Sequence, residues 1–155
     1  MTDVTTEPWV VDARWDITYQ HVADAVTEKF LATLRDEGRL LGRRCPACGR
    51  VLLPAASVCE RDLEPTTEWV ELPMSGSVAM ATVVYQPIRG LPDPPYALAY
   101  VLVDGADTTI PVRIEGLDLD DPEAARAELA PGRAVALTTG AERRGRSSDL
   151  RGRLV

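Results

Sequence analysis

The 155-residue sequence predicts a mainly β protein in which an N-terminal helix and a small cysteine-clipped ribbon precede a five-stranded barrel. Three observations predict it. Apolar residues recur at helical spacing only near the start of the chain. The stretch "CPACGRVLLPAASVCERD", residues 45–62, spaces three cysteines and an aspartate as a metal clip would. After residue 66, short apolar runs are broken by turn residues, as strands are.

Residues 1–17 show no period but carry Trp9 and Trp15, large apolar groups in a polar arm that would dock on a surface. Over residues 20–37, Val22, Val26, Phe30 and Leu34 recur every four residues and predict a helix ended by Gly38. "RLLGRRC" then reads as a short strand entering the clip. "EWVEL" and "GSVAMATVVYQ" read as strands, followed by the proline-rich loop "PIRGLPDPPY". "ALAYVLVD" and "TTIPVRI" are further strands. In "DDPEAARAEL", Asp121 caps a short helix that Pro122 opens. "PGRAVALTT" and "SDLRGRL" supply the last two strands. Five strands with a helix between the third and fourth is the order of an OB-fold barrel. The expected division is an arm at 1–17, helix plus ribbon at 18–66 and barrel at 67–155.

Composition excludes some partners. The chain is 45% hydrophobic and 26% charged, with a formal net charge of -7. Nucleic acid, which is held by clustered cations and stacking aromatics, fits that balance poorly. No apolar run reaches the ~18 residues of a membrane helix. The first residues lack the basic start and apolar run of a signal peptide, so a cytoplasmic location is expected. Lys29 is the sole lysine; the other cations are arginines, densest at Arg143, Arg144, Arg146, Arg151 and Arg153.

Cys45 and Cys48 form a complete metal knuckle, "CPACG", and Cys59 and Asp62 stand at the spacing of a second, "CERD". Structural zinc takes four tetrahedral ligands, and a carboxylate oxygen is an adequate fourth beside three thiolates. Three other readings remain open: a redox Cys-x-x-Cys, a metal-free ribbon, and His21 (the only histidine) as a distant fourth ligand. The knuckle lies between strand-like runs rather than opening a helix, which disfavours redox chemistry.

The ordered series of helix, "GRLLGRRCPACGRVLLP", second knuckle, "EWVEL", "GSVAMATVVYQ" and "PPYALAYVLVDGADT" resembles the DUF35 family over residues 18–154. The resemblance implies a rubredoxin-like zinc ribbon joined to an OB-fold. It departs from the family pattern at Asp62, where cysteine is common, and at "LPAAS", where two prolines are common. It also implies an accessory subunit of thiolase-superfamily enzymes acting on acyl-CoA thioesters. Such partners include thiolases that work beside HMG-CoA synthase and lipid-transfer-protein-like aldolases of steroid side-chain breakdown.

No catalytic residue is predicted. One histidine leaves little for a nucleophile–base pair, and no G-x-S-x-G, G-x-G-x-x-G or P-loop pattern occurs. A self-contained acyl-CoA-processing enzyme and a nucleic-acid-binding OB-fold are the competing readings. The candidate ligand-contacting residues are Tyr85, Arg89, Tyr96, Arg143, Arg144 and Arg146. The candidate partner interface is Trp9, Trp15, Val22, Val26 and Phe30. Zinc is the expected cofactor, in a structural role, and a hetero-oligomer is the expected state.

Overall fold

The computed structural model describes residues 20, 22–89 and 91–155. Trp9, Trp15 and His21 lie outside the described residues.

The helix, α1 (Ala25–Glu37), is shorter than its apolar period predicts. Asp24 has extended backbone and accepts the N–H of Thr27, so it caps the helix and sets its start. Val22 therefore precedes the helix and is 97% exposed. Phe30, Thr33 and Leu34 form the buried stripe, and Gly38 closes the helix in the left-handed conformation. Burying Phe30 and Leu34 contributes on the order of 2–3 kcal/mol each.

Three strands form the ribbon sheet in the order β2-β1-β3: β1 (Leu40–Arg44), β2 (Val51–Leu52) and β3 (Glu68–Leu72). β3 pairs with β1 over its whole length, from Leu40↔Leu72 to Arg44↔Glu68. The ribbon sheet thus runs to Leu72, past the expected division at 66/67. The burial pattern of "EWVEL" fits either module, and only the pairing decides its place.

The remaining strands are β4 (Ser75–Val84), β5 (Tyr96–Val103), β6 (Thr109–Ile114), β7 (Ala134–Thr139) and β8 (Leu150–Leu154). They close a barrel in the order β4-β5-β6-β8-β7. The β6–β8 pairing is parallel, and α2 (Pro122–Glu128) lies between β6 and β7. That order and that helix position are those of an OB-fold. The long β4 pairs with β7 at its start and β5 along its length, with a bulge between Val78 and Met80. Gly76 sits where all three strands meet; a Cβ there would lie 2.3 Å from the Leu102 carbonyl oxygen. The last predicted strand begins with a 3-10 turn, η1 (Ser147–Asp149).

Ribbon and barrel share one core. Phe30, Leu34, Leu40, Val51 and Leu53 pack in the same cluster as Val101, Ile110 and Val135. Hydrogen bonds seal the seam. Val51 N–H donates to the Asp107 carboxylate (2.8 Å), Asp107 N–H donates to the Val51 carbonyl (2.8 Å), and Leu53 N–H donates to the Thr108 hydroxyl (2.7 Å). Among the described residues, no helix is long and apolar enough to cross a membrane.

Candidate metal centre and barrel clefts

Each knuckle is a tight turn built by the same two backbone bonds. Cys45 N–H donates to the Arg50 carbonyl, and Gly49 N–H returns to the Cys45 carbonyl. Cys59 N–H donates to the Glu64 carbonyl, and Leu63 N–H returns to the Cys59 carbonyl, all four at 2.9 Å. The return residue needs a left-handed backbone: Gly49 has φ 76° and Leu63 has φ 57°. Leu63 is the one non-glycine residue with positive φ among the described residues, and it is exposed. The second knuckle therefore keeps the knuckle fold although Asp62 and Leu63 stand where the first has Cys48 and Gly49.

The four ligand atoms of Cys45, Cys48, Cys59 and Asp62 lie within 4.8 Å of one another. The Asp62 carboxylate is 3.4 Å from Cys45 Sγ and 3.5 Å from Cys59 Sγ, and Cys48 Sγ is 3.9 Å from Cys59 Sγ. Bond lengths of ~2.3 Å to sulfur and ~2.0–2.2 Å to oxygen give tetrahedral edges of about 3.8 Å and 3.5 Å. These three edges fit zinc. Cys45 and Cys59 are buried beside Leu52, while Cys48 and Asp62 form the half-buried outer side. Arg50 bonds Glu60 at 2.7 Å, tying one knuckle to the other. Without a metal, the Asp62 carboxylate accepts from the Cys45 and Cys59 thiols. The surrounding thiols, Cys48 foremost, hold Asp62 below the usual carboxylate range, and the carboxylate pushes Cys48 up to about 12. Zinc would take the place of the shared proton, as thiolate coordination requires. Four protein ligands leave no open position, so the site is structural rather than catalytic.

The structure disperses the remaining candidate residues. Phe30 is 2% exposed in the core, and Val26 packs against that core, because α1 turns its apolar stripe inward. Neither is an exposed docking residue, which corrects the expectation for both; Val22 alone of the described three is fully open. Arg143 faces α1 rather than a ligand: its guanidinium donates to the Arg35 carbonyl at 2.6 Å and the Asp36 carbonyl at 3.4 Å. It satisfies the last turn of the helix. The Tyr85 hydroxyl donates to the Leu119 carbonyl at 3.2 Å, and its ring lines a cleft of about 610 Å³ between β4 and α2.

Tyr96, Arg144 and Arg146 do come together. They line a cleft of about 700 Å³ on the opposite side of β5, to which Arg113 and Arg151 also contribute. Arg89 is not among its lining residues. Arg151 stood in the arginine cluster of the sequence, but Arg113 went unmarked, because only the parallel β6–β8 ladder makes the two neighbours. Trp69 was missed as well; the Lys29 ammonium and Arg43 guanidinium lie 4.8 Å and 4.7 Å from its ring centroid, from α1 and β1.

A two-knuckle metal clip on a three-stranded sheet, followed by a closed OB-type barrel, defines a zinc ribbon–OB protein. Residues 32–68 match the family described as ChsH2, rubredoxin-like zinc ribbon domain. A DUF35-family protein of unknown function from Sulfolobus solfataricus superposes with a TM-score of 0.61 at 19% identity, covering 85% of this chain and 87% of that one. A chain of the Ltp2–ChsH2(DUF35) aldolase superposes with a TM-score of 0.61 at 18% identity, covering 87% and 97%. A search of curated proteins finds no match. The chain thus carries a ChsH2-type rubredoxin-like zinc ribbon and has the fold of the DUF35 proteins.

Proposed function

We propose that this chain is a non-catalytic accessory subunit that binds a thiolase-superfamily enzyme of the lipid-transfer-protein-like kind and supports its acyl-CoA chemistry. One observation carries the reading. The same chain matches the ChsH2 ribbon in sequence and a chain of the Ltp2–ChsH2(DUF35) aldolase in fold, over nearly that chain's full length. The reaction, whether thiolysis, a thiolase step linked to HMG-CoA synthase, or retro-aldol cleavage of a steroid side chain, belongs to the partner. The partner supplies the nucleophile and bases; this chain supplies a scaffold and a contact for the thioester.

Two features support the reading. The metal site is closed by protein ligands, which suits a structural ribbon. The outward side of the barrel carries Met80 directly paired with Tyr100, and Leu102 beside them, all exposed. Adjoining exposed apolar residues mark surfaces that partners cover.

The test is turnover of acyl-CoA esters by the candidate partner alone, by this chain alone, and by the two together. Activity only with the partner present, raised by this chain, is the expected outcome. Turnover by this chain alone would replace the accessory reading with that of a self-contained enzyme.

A further inference from the structure

We propose that the free edge of β4, from Ala79 to Val84, is where a partner protein adds an extended segment to the barrel as one more strand. The inference deepens the preceding reading and rests on it for the partner, the thioester-processing enzyme.

The barrel closes over only part of β4. β7 pairs with its first residues, Ser75–Ser77. The turn before β7 takes one residue more: Val78 N–H donates to the Arg133 carbonyl at 2.9 Å, and Gly132 N–H donates to the Val78 carbonyl at 2.8 Å. From Ala79 to Val84, β4 runs on with β5 at one side, and no strand among the described residues lies at the other. Such a margin leaves every second N–H and C=O without a ladder partner.

The cleft between β4 and α2 runs along this margin. Met80, Ala81, Thr82 and Val83 all line it. Successive side chains of a strand point to opposite faces, so four in a row line a cleft only at an edge. Exposure agrees. Ala79, Met80, Ala81 and Thr82 are all exposed, where a strand with one buried face would alternate.

Nothing guards this edge. Soluble proteins blunt free edges with charges, prolines or short strands. The ribbon does so: its edge strand, β3, carries Glu68 and Glu71, ion-paired to Arg44 and Arg39. The β4 margin has no charge and no proline. Its bulge comes at the start, between Val78 and Met80, and the register from Met80↔Tyr100 to Val84↔Tyr96 is unbroken. A regular, uncharged free edge is a template for strand addition.

Shape and charge choose the occupant. Pro122 and Arg126 of α2, with Leu129 and Pro131 after them, stand across the cleft from β4. The space of about 610 Å³ between those walls admits a single extended segment. A second copy of this chain would bring its own β5 and α2 along with its β4 edge. Arg126 is the one charged group among the described lining residues, so the matching segment is apolar with an acidic side chain facing Arg126. Met80 lines the cleft and also pairs with Tyr100 on the exposed face, so a partner seated on that face meets the cleft mouth directly.

The experiment follows hydrogen exchange, amide by amide, in the full zinc-loaded chain alone and in complex with a purified thiolase-superfamily enzyme of its host. Within Ala79–Val84, the amides turned away from β5 should exchange freely in the chain alone and at least tenfold more slowly in the complex. Those of β3 should stay within twofold. Thr82→Lys places a charge on the edge and should weaken the complex at least tenfold. Arg126→Glu should weaken it several-fold, and Glu68→Gln, at the guarded edge, less than twofold. Thr82 and Arg126 are exposed, and an unchanged exchange pattern elsewhere in the free variants shows that they fold. A complex in which the edge amides exchange as in the free chain, or which Thr82→Lys leaves at wild-type affinity, would overturn the inference and leave the accessory reading standing. Edge amides already slow in a free monomer would give the cleft to this chain's own residues 1–19, and in a free dimer to a second copy; either overturns it. Failure of every such host enzyme to bind would overturn both.

Discussion

Asp62 and Leu63 show how much one knuckle tolerates. The turn keeps its two backbone bonds and its left-handed residue, although a carboxylate stands at the thiol position and leucine at the glycine position. Two outcomes are expected at this scale. Asp62→Ala removes a ligand, so purified protein should fall from about one zinc per chain to well below half, while Asp62→Cys should restore full loading and slow release to a chelator. Full occupancy in Asp62→Ala would mean another group is the fourth ligand. Leu63→Gly relieves a left-handed backbone at an exposed position, and unfolding by urea should show a gain of about 0.5–1 kcal/mol. The ligand spacing was legible in the sequence because the knuckle geometry is local. The Leu63 conformation was not, because only the return bond to Cys59 forces it.

At the scale of elements, the segment between β7 and β8 does two separate jobs. Arg143 holds the C-terminal carbonyls of α1, and Asp149 holds three N–H groups of its own loop. Arg143→Ala should cost about 1 kcal/mol in a urea titration. Burial pushes the Asp149 carboxyl up, but the N–H bonds from Arg146, Arg144 and Gly145 outweigh it, and its folded value lies below the ordinary one. Its stabilisation is therefore complete above the unfolded value of ~3.9 and is lost as pH falls through the folded value. Urea midpoints measured from pH 6 to pH 3 should fall, and Asp149→Asn should flatten part of that fall. Asp149→Ala should cost about 2–4 kcal/mol at neutral pH, since it strands the three donors. The sequence showed the arginines as one cluster. It could not divide them, because Arg143 and Arg144 point to different elements for reasons of loop geometry alone. The helix period likewise overran its start, because an apolar spacing cannot register the cap at Asp24.

Taken whole, the molecule is two modules with one core. The barrel was legible because alternation and turn residues mark each strand separately. The placement of β3 was not. "EWVEL" alternates equally well for either sheet, and its partner, β1, lies on the far side of both knuckles in the chain, as the pair Leu41↔Glu71 shows. The seam predicts that ribbon and barrel melt together. Thr108→Val removes the hydroxyl that joins the Leu53 N–H and carbonyl, and a single unfolding transition lowered by about 1–3 kcal/mol is expected. Two separated transitions would contradict a shared core. On the proposed function, the exposed Met80–Tyr100 pair is the surface the partner covers. The most direct measurement is an affinity pull-down of the tagged chain from its native host, with mass spectrometry of what accompanies it. The account predicts a near-stoichiometric thiolase-superfamily protein, lost in Met80→Glu/Tyr100→Glu. A stable monomer that brings down no such protein would contradict it.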